Sequence, residues 1–313
     1  MNNQKQKDLG IFYTPQTVVN FIFQILLIMK NKENKEKKRW QSHKPPHFPS
    51  VIDPACGEGI FLKTAVTSGF TGYHPRQKTP YVFGVDLDGE VVKKWEKISI
   101  LHDLFKNNKK KMLDHFHQQN GLLELPSKVF NYKTGGLKKF DAVVGNPPYG
   151  GTGIDNLTPE LENSLFDFRI WKKAIGKGRE QGDQLGLIIQ NQISTREKKR
   201  LEKFPIEILF VDRFIQLAKP NGLIALIIPD GILANSTFHY VRQFIAENTK
   251  VAGIISLPRE TFKQAGTNAK TSILILQKQK TSNMDYPIFL ASTEAPSQSN
   301  FDKISIKFKK FYD

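Results

Sequence analysis

Short apolar runs of the kind that form buried strands alternate along this chain with longer segments of helical spacing, and three of the runs end on a polar side chain. Val51-Ile52 leads to Asp53, Tyr81-Val82-Phe83-Gly84-Val85 to Asp86, and Phe140-Asp141-Ala142-Val143-Val144 to Asn146. Strands separated by helices imply an open parallel sheet covered on both faces. The uninterrupted run Leu223-Ile224-Ala225-Leu226-Ile227-Ile228 fits such a sheet, since strands buried on both sides read as continuous apolar runs. Ligands of these sheets sit beyond the carboxyl ends of the strands. Asp53, Asp86 and Asn146 are therefore expected along one edge. No interval of roughly 30 to 50 residues repeats, so the chain is not a solenoid.

Each of the three strand exits has a chemical use. After Asp53 come Pro54-Ala55-Cys56-Gly57-Glu58-Gly59 and then Ile60, Phe61, Leu62 and Ala65 at helical spacing. The glycines of such a turn let a ligand approach the backbone, and the following helix offers free N–H groups. Asp86 lies thirty-three residues after Asp53, where a carboxylate can accept both ribose hydroxyls of a nucleoside. It can equally be a turn residue, because Asp88-Gly89 follows. Asn146-Pro147-Pro148-Tyr149 offers an amide oxygen, a carbonyl that no helix can claim, and a flat aromatic face. That set could grip a planar ring bearing an exocyclic NH2. An ordinary strand-to-loop stop is the plainer reading of the tetrapeptide by itself.

Around these exits the pattern is less uniform. Phe21 to Met29 is a nine-residue apolar stretch interrupted by Gln24, too short to span a bilayer and with no small-residue cleavage pattern after it. It reads as a buried helix starting near Thr14-Pro15. Lys30 to Lys44 is strongly basic and reads as a solvated connector inserted over residues 30–50. Lys106 to Lys111 and Arg196 to Lys203 are further basic clusters. Val91, Val92, Trp95, Ile98, Leu101, Leu104 and Phe105 give helical spacing from 89 to about 116. The third strand then falls near Gln118 to Leu123, or alternatively at Ile98 to Leu104, which would place Asp103 at its end. Gly150-Gly151-Thr152-Gly153 reads as a flexible loop. Further on, a helix is expected over Ile206 to Lys219, stopped by Pro220-Asn221-Gly222. Pro229-Asp230-Gly231 closes the strand 223–228, a helix runs from about Ser236 to Glu247, and strands follow at Val251 to Leu257 and Thr271 to Gln277. Ile304, Ile306, Phe308 and Phe311 suggest one more strand.

Lysines and arginines exceed acids by 46 − 30 = 16, with a pI near 9.7. Such an excess favours a polyanionic partner, nucleic acid above all. Cys56 is the only cysteine, which excludes an intrachain disulfide and points to a reducing cytoplasm. Methionine and histidine are too scattered to suggest a metal site.

In their order, these motifs resemble the N6-adenine DNA methyltransferases, close to the modification subunits of type I restriction systems. Gly10-Ile11-Phe12-Tyr13-Thr14-Pro15 is similar to that family's N-terminal motif, Asp53 to Gly59 to its cofactor loop, Gly84-Val85-Asp86 to its ribose acid, and Asn146 to Tyr149 to its catalytic motif. Pro220-Asn221-Gly222, Ile228-Pro229-Asp230-Gly231, Ser256-Leu257-Pro258 and Lys270-Thr271-Ser272-Ile273-Leu274 follow its later pattern. The resemblance covers roughly residues 9 to 279.

It implies a Rossmann-like class I S-adenosylmethionine-dependent methyltransferase fold: α/β, with a mostly parallel seven-stranded sheet and helices on both faces. The methyltransferase domain would occupy residues 1–280, and 281–313 would be a C-terminal extension that begins a target-recognition region. The cofactor would be S-adenosylmethionine, giving S-adenosylhomocysteine as product. Tyr13, Thr14 and Pro15 with Asp53, Pro54, Ala55, Cys56, Gly57 and Gly59 would hold its methionine part. Asp86 and Leu87 would bind the ribose. Asn120 would meet the adenine edge, with Asp103 and Glu124 as alternatives. Asn146, Pro147, Pro148 and Tyr149 would act on the target adenine, Tyr149 by stacking on it. The implied partners are DNA and a specificity or other restriction-modification subunit, with no metal and no membrane. Two features depart from the family. Type I modification subunits usually carry a helical domain before the first motif, which here begins by residue 10, and Asp285 to Asp313 is too short for a recognition domain. Related Asn-Pro-Pro-Tyr enzymes act on protein glutamine or ribosomal RNA, and a catalytically silent subunit is the remaining alternative.

Overall fold

Among the described residues, eight strands form one sheet in the order β3-β2-β1-β4-β5-β7-β6-β8. The computed structural model describes residues 13–38, 48–74, 78–95, 104–105, 112–125, 139–149, 168–176, 204–265, 269–279 and 285–313. The strands are β1 (Val51–Asp53), β2 (Val82–Asp86), β3 (Phe116–Gln118), β4 (Phe140–Gly145), β5 (Ala218–Pro229), β6 (Thr249–Ser256), β7 (Thr271–Lys278) and β8 (Phe289–Ser292). β7 runs antiparallel between β5 and β6, and every other pairing is parallel. Strand order reverses between β1 and β4. Such a switch point opens a crevice at the carboxyl ends of the strands.

One face of the sheet carries α1 (Gln16–Lys38), α2 (Ile60–Thr67), α3 (Gly89–Trp95) and α8 (Gln298–Tyr312); the other carries α4 (Arg169–Gly176), α5 (Ile206–Leu217) and α7 (His239–Asn248). α6 (Asp230–Ala234) is a single short turn after β5. β5 shows why both faces must be covered. Leu223, Ala225 and Ile227 enter the core beneath α1, while Ile224, Leu226 and Ile228 enter the core beneath α5. The period-two alternation of a strand thus turns a continuous apolar run into two buried faces. α5 is buried on nearly all sides, including Asp212 and Arg213. Asp212 accepts the Ile170 N–H at 2.9 Å. Arg213 donates to the carbonyls of Gly121, at 3.1 Å, and Leu123.

Several expectations need correcting. α1 continues to Lys38, so Lys30 to Lys38 is helical rather than connector, and 39–47 lies outside the described residues. Straight-chain Lys and Glu are good helix formers, and this turn is tethered by Lys30 Nζ donating to the Phe70 carbonyl at 2.6 Å and Gln277 donating to Glu33 at 2.6 Å. The third strand is Phe116–Gln118. α3 is described over Gly89–Trp95, and residues 96–103, with Asp103 among them, lie outside the described residues, as do 106–111, 150–153 and 196–203. β5 begins at Ala218, so Pro220-Asn221-Gly222 lies within the strand as an irregularity. There Asn221 has φ 63°, and a Cβ on Gly222 would come 2.9 Å from the Lys219 carbonyl. Ile304 to Phe311 is helix, with Phe301, Ile304 and Phe308 buried and Ile306 59% exposed. The additional strand is instead β8, which makes the sheet eight-stranded rather than seven-stranded. Among the described residues no helix is long and apolar enough to cross a membrane.

The C-terminal helix shares the core of the N-terminal one: Phe301 stacks on Phe21 with ring centroids 4.6 Å apart, and both are fully buried. Phe301→Ala should therefore destabilise the whole sheet by about 3–5 kcal/mol. In urea denaturation followed by circular dichroism it should show one transition at a lower midpoint. An unchanged midpoint would mean that α8 contributes nothing to the core.

Candidate active site

The loop after β1 takes its shape from backbone contacts with β2 and α3. Gly57 and Gly59 have φ of 51° and 84°, which L side chains rarely adopt. The Cys56 N–H donates to the Val85 carbonyl at 2.9 Å, Trp95 Nε1 to the Gly57 carbonyl at 2.8 Å, and the Gly57 N–H to Asp86 Oδ2 at 2.7 Å. Gly84 permits this closeness, since a Cβ there would stand 2.7 Å from Cys56 Sγ. Gly121 does the same on the other side, where a Cβ would overlap the Pro54 carbonyl at 1.7 Å.

Between these loops lies a cavity of about 510 Å³ at the switch point, within the range of small-molecule and cofactor sites. Asp53, Asp86, Asn120 and Asn146 all line it, joined by Thr14 and Tyr13 from the segment before α1. Asp86 accepts the N–H of Gly57 on one oxygen and that of Asp88, at 2.9 Å, on the other. Each oxygen keeps a further lone pair for a ligand. Asn120 sits in a turn in which its Oδ1 accepts the Leu122 N–H at 3.0 Å. The Asn146 carboxamide nitrogen donates to Thr14 Oγ1 at 3.1 Å.

Four carboxylates, Asp53, Glu58, Asp86 and Asp88, border the cavity, and no lysine or arginine is among the described lining residues. Burial pushes the Asp53 carboxyl well above its ordinary value, with the nearby Asp86 charge adding to the effect. Burial also raises Asp86, opposed by the N–H groups it accepts. Cys56 is likewise pushed up by burial and by these two acids, so its thiol is inert packing rather than a nucleophile. The environment suits a cationic ligand with hydroxyls and an apolar flank.

Most of the predicted site residues converge here. Pro54, Ala55, Cys56, Gly57, Leu87 and Pro148 line the cavity with those already named. Pro15, Gly59, Pro147 and Tyr149 are not on its wall. The Pro15 carbonyl starts α1 by accepting the Val18 and Val19 N–H groups, and Gly59 precedes α2 as its cap. Tyr149 is 1% exposed, near Asn146, with its hydroxyl pKa raised mainly by burial. Of the three candidates for the adenine edge, Asn120 lines the cavity, whereas Glu124 is not among the described lining residues. Ile206 and Phe210 from the first turn of α5, Ile60 and Phe61 from α2, and Gly121 were not foreseen. The i, i+4 spacing of Ile206 and Phe210 marks a helix face but does not say what that face meets.

This topology, with its cavity at the carboxyl ends of β1, β2 and β4, is the class I S-adenosylmethionine-dependent methyltransferase fold. Residues 81–262 match the Eco57I restriction-modification methylases, and the chain belongs to that family. It is 26% identical over 150 residues to the type II restriction enzyme and methyltransferase RM.Eco57I of Escherichia coli, covering 47% of this chain and 12% of that protein. It is 24% identical over 288 residues to the type I restriction enzyme EcoEI methylase subunit of Escherichia coli, covering 88% of this chain and 44% of that one. The chain thus spans less than half the length of these two relatives. Among solved structures, the type I restriction-modification methyltransferase subunit of Streptococcus thermophilus superposes with a TM-score of 0.58 at 18% identity, covering 96% of this chain and 54% of that one. A Listeria monocytogenes protein assigned to the class I S-adenosylmethionine-dependent methyltransferases gives 0.57 at 22% identity, covering 96% and 72%. At these identities the likeness establishes the fold.

The buried Asp53 carboxyl has a testable sign. Its folded-state pKa lies above the ordinary value of 3.8, so from that value upward the folded state holds the proton more tightly than the unfolded chain. Stability is then lost as pH rises through the raised pKa. Asp53→Asn, whose Oδ1 can still accept the Ala55 N–H, should melt higher than the parent protein at pH 7. The gap should close as pH falls below the ordinary carboxylate range. A gap independent of pH in thermal melts would contradict burial as the cause.

Proposed function

We propose that this chain transfers a methyl group from S-adenosylmethionine to the N6 amino group of adenine in DNA. The observation that carries the reading is one cavity bordered by both Asp86 and Asn146. Its donor set fits the cofactor: a carboxylate with spare lone pairs for a ribose diol, an asparagine turn for an adenine edge, and four acids around a sulfonium and an ammonium group. When bound, S-adenosylmethionine supplies a methyl group made electrophilic by the sulfonium. Asp86 and Leu87 would hold the ribose, Asn120 the adenine, and Tyr13, Thr14 and the 53–59 loop the methionine end.

The carboxamide oxygen of Asn146 and the carbonyl of Pro147 would accept the two N–H bonds of the target amino group. Two acceptors out of the ring plane draw that nitrogen towards tetrahedral geometry and localise its lone pair. Catalysis then rests on positioning and electrostatics. The base must leave the duplex to reach this depth, at a cost of about a few kcal/mol. Tyr149 would have to turn out of its burial beside Asn146 to stack on that base. The net charge of +16 suits DNA as the partner. Family membership favours DNA over protein glutamine or ribosomal RNA, and an Asn146 facing the cavity favours an enzyme over a silent subunit. The type I relatives suggest association with a specificity or other restriction-modification subunit, in a reducing cytoplasm. The methyltransferase unit is taken to run beyond residue 280, because β8 joins its sheet and α8 packs against α1.

Two substitutions separate the roles. Asn146→Ala should abolish incorporation of labelled methyl into unmethylated DNA while cofactor affinity by calorimetry stays within about twofold. Retention of the parent rate would sink the role given to Asn146. Asp86→Ala removes charge-assisted hydrogen bonds worth about 1.5–3 kcal/mol and should weaken cofactor binding roughly tenfold or more. Unchanged affinity would refute the ribose assignment.

A further inference from the structure

An asparagine serves as an acceptor only when its oxygen, not its nitrogen, faces the donor. The two branches of a carboxamide are nearly the same in shape and opposite in hydrogen-bonding character. If Asn146 presented its NH2 to a substrate amino group, donor would face donor and the contact would repel. Something outside the side chain must therefore set its rotation.

One such contact comes from far away in the sequence, beside the hydrogen bond that Asn146 shares with the Tyr149 hydroxyl. Asn146 Nδ2 lies 3.1 Å from Thr14 Oγ1, across 132 residues. Thr14 is 7% exposed, and its β-branched side chain has restricted χ1 freedom. The residues after it are tied down independently. Gln16 Nε2 donates to Thr64 Oγ1 on α2 at 2.9 Å, and Thr17 Oγ1 donates to the Pro296 carbonyl just before α8 at 3.0 Å. Thr14 is thus a fixed post just before α1, while Asn146 follows the last residue of β4.

We propose that Thr14 is a positioning residue for Asn146: its hydroxyl anchors the carboxamide nitrogen and so turns the carboxamide oxygen towards the substrate amino group. This goes beyond the methionine-holding role that the resemblance implies for Thr14, and it rests on the proposed methyl transfer for its functional meaning. The N-terminal segment then links the cofactor cavity to the acceptor of the target base.

The test compares Thr14→Val, which keeps the shape and removes the hydroxyl, with Thr14→Ser, which keeps the hydroxyl. At saturating S-adenosylmethionine, T14V should lose roughly tenfold or more in the rate of methyl incorporation. Any loss of cofactor affinity through the methionine end is bypassed at saturation, and T14S should recover most of the rate. A weakened cofactor Kd with an unchanged saturated rate would make Thr14 a cofactor contact alone and overturn the inference. A second readout needs no turnover: the side-chain amide protons of Asn146, assigned in 15N spectra by their absence in N146A, should be protected from solvent exchange in the parent protein and T14S and exposed in T14V. Equal protection in all three overturns the inference. Loss of protection in T14V, in a parent protein that incorporates no methyl, would uphold the anchor and refute the proposed reaction instead.

Discussion

The bond from the Gly57 N–H to the Asp86 carboxylate, 2.7 Å long, is the contact on which the site depends. It joins the loop after β1 to the end of β2, and it exists only because Gly84 leaves room for Cys56 beside it. With the loop held there, Gly57 and Gly59 must take left-handed conformations, α2 starts where it does, and the cavity opens against β4. A side chain at position 84 would push the loop away from β2 and separate Asp86 from the groups it works with. The site is thus a consequence of close backbone approach more than of any single functional group.

The same closeness concentrates negative charge. Burial disfavours ionisation of both Asp53 and Asp86, and the Asp86 charge adds to that cost for Asp53 as the Asp88 charge does for Asp86. The fold accepts it because Asp53 takes the Ala55 N–H and Asp86 takes two backbone donors. Partial compensation leaves a pocket whose field favours a positively charged ligand. A cationic cofactor entering it would relieve part of the repulsion, so binding and local stability are linked.

The far wall is held by α5. Its first turn contributes Ile206 and Phe210 to the cavity, and further along the same helix Arg213 grips the carbonyls of Gly121 and Leu123. The turn bearing Asn120 is therefore clamped from below by a buried guanidinium and from the side by the Pro54 carbonyl. That clamp ties an element from the second half of the sheet to the Asn120 side of the cavity.

The sequence by itself determined the alternation of strands and helices, the carboxyl-edge placement of Asp53, Asp86 and Asn146, and the family pattern, because strand burial and glycine turns are local properties written in residue type and spacing. Tertiary structure alone decided the rest. Whether Ile304 to Phe308 was strand or helix could not be read from so short an apolar run, since both periods accommodate it until Phe301 meets Phe21. The Pro220-Asn221-Gly222 stop became a strand irregularity only through the register of β4 with β5. The parts played by Ile206, Phe210, Arg213 and the Thr14 hydroxyl depend on contacts between segments distant in the chain, which no local pattern encodes.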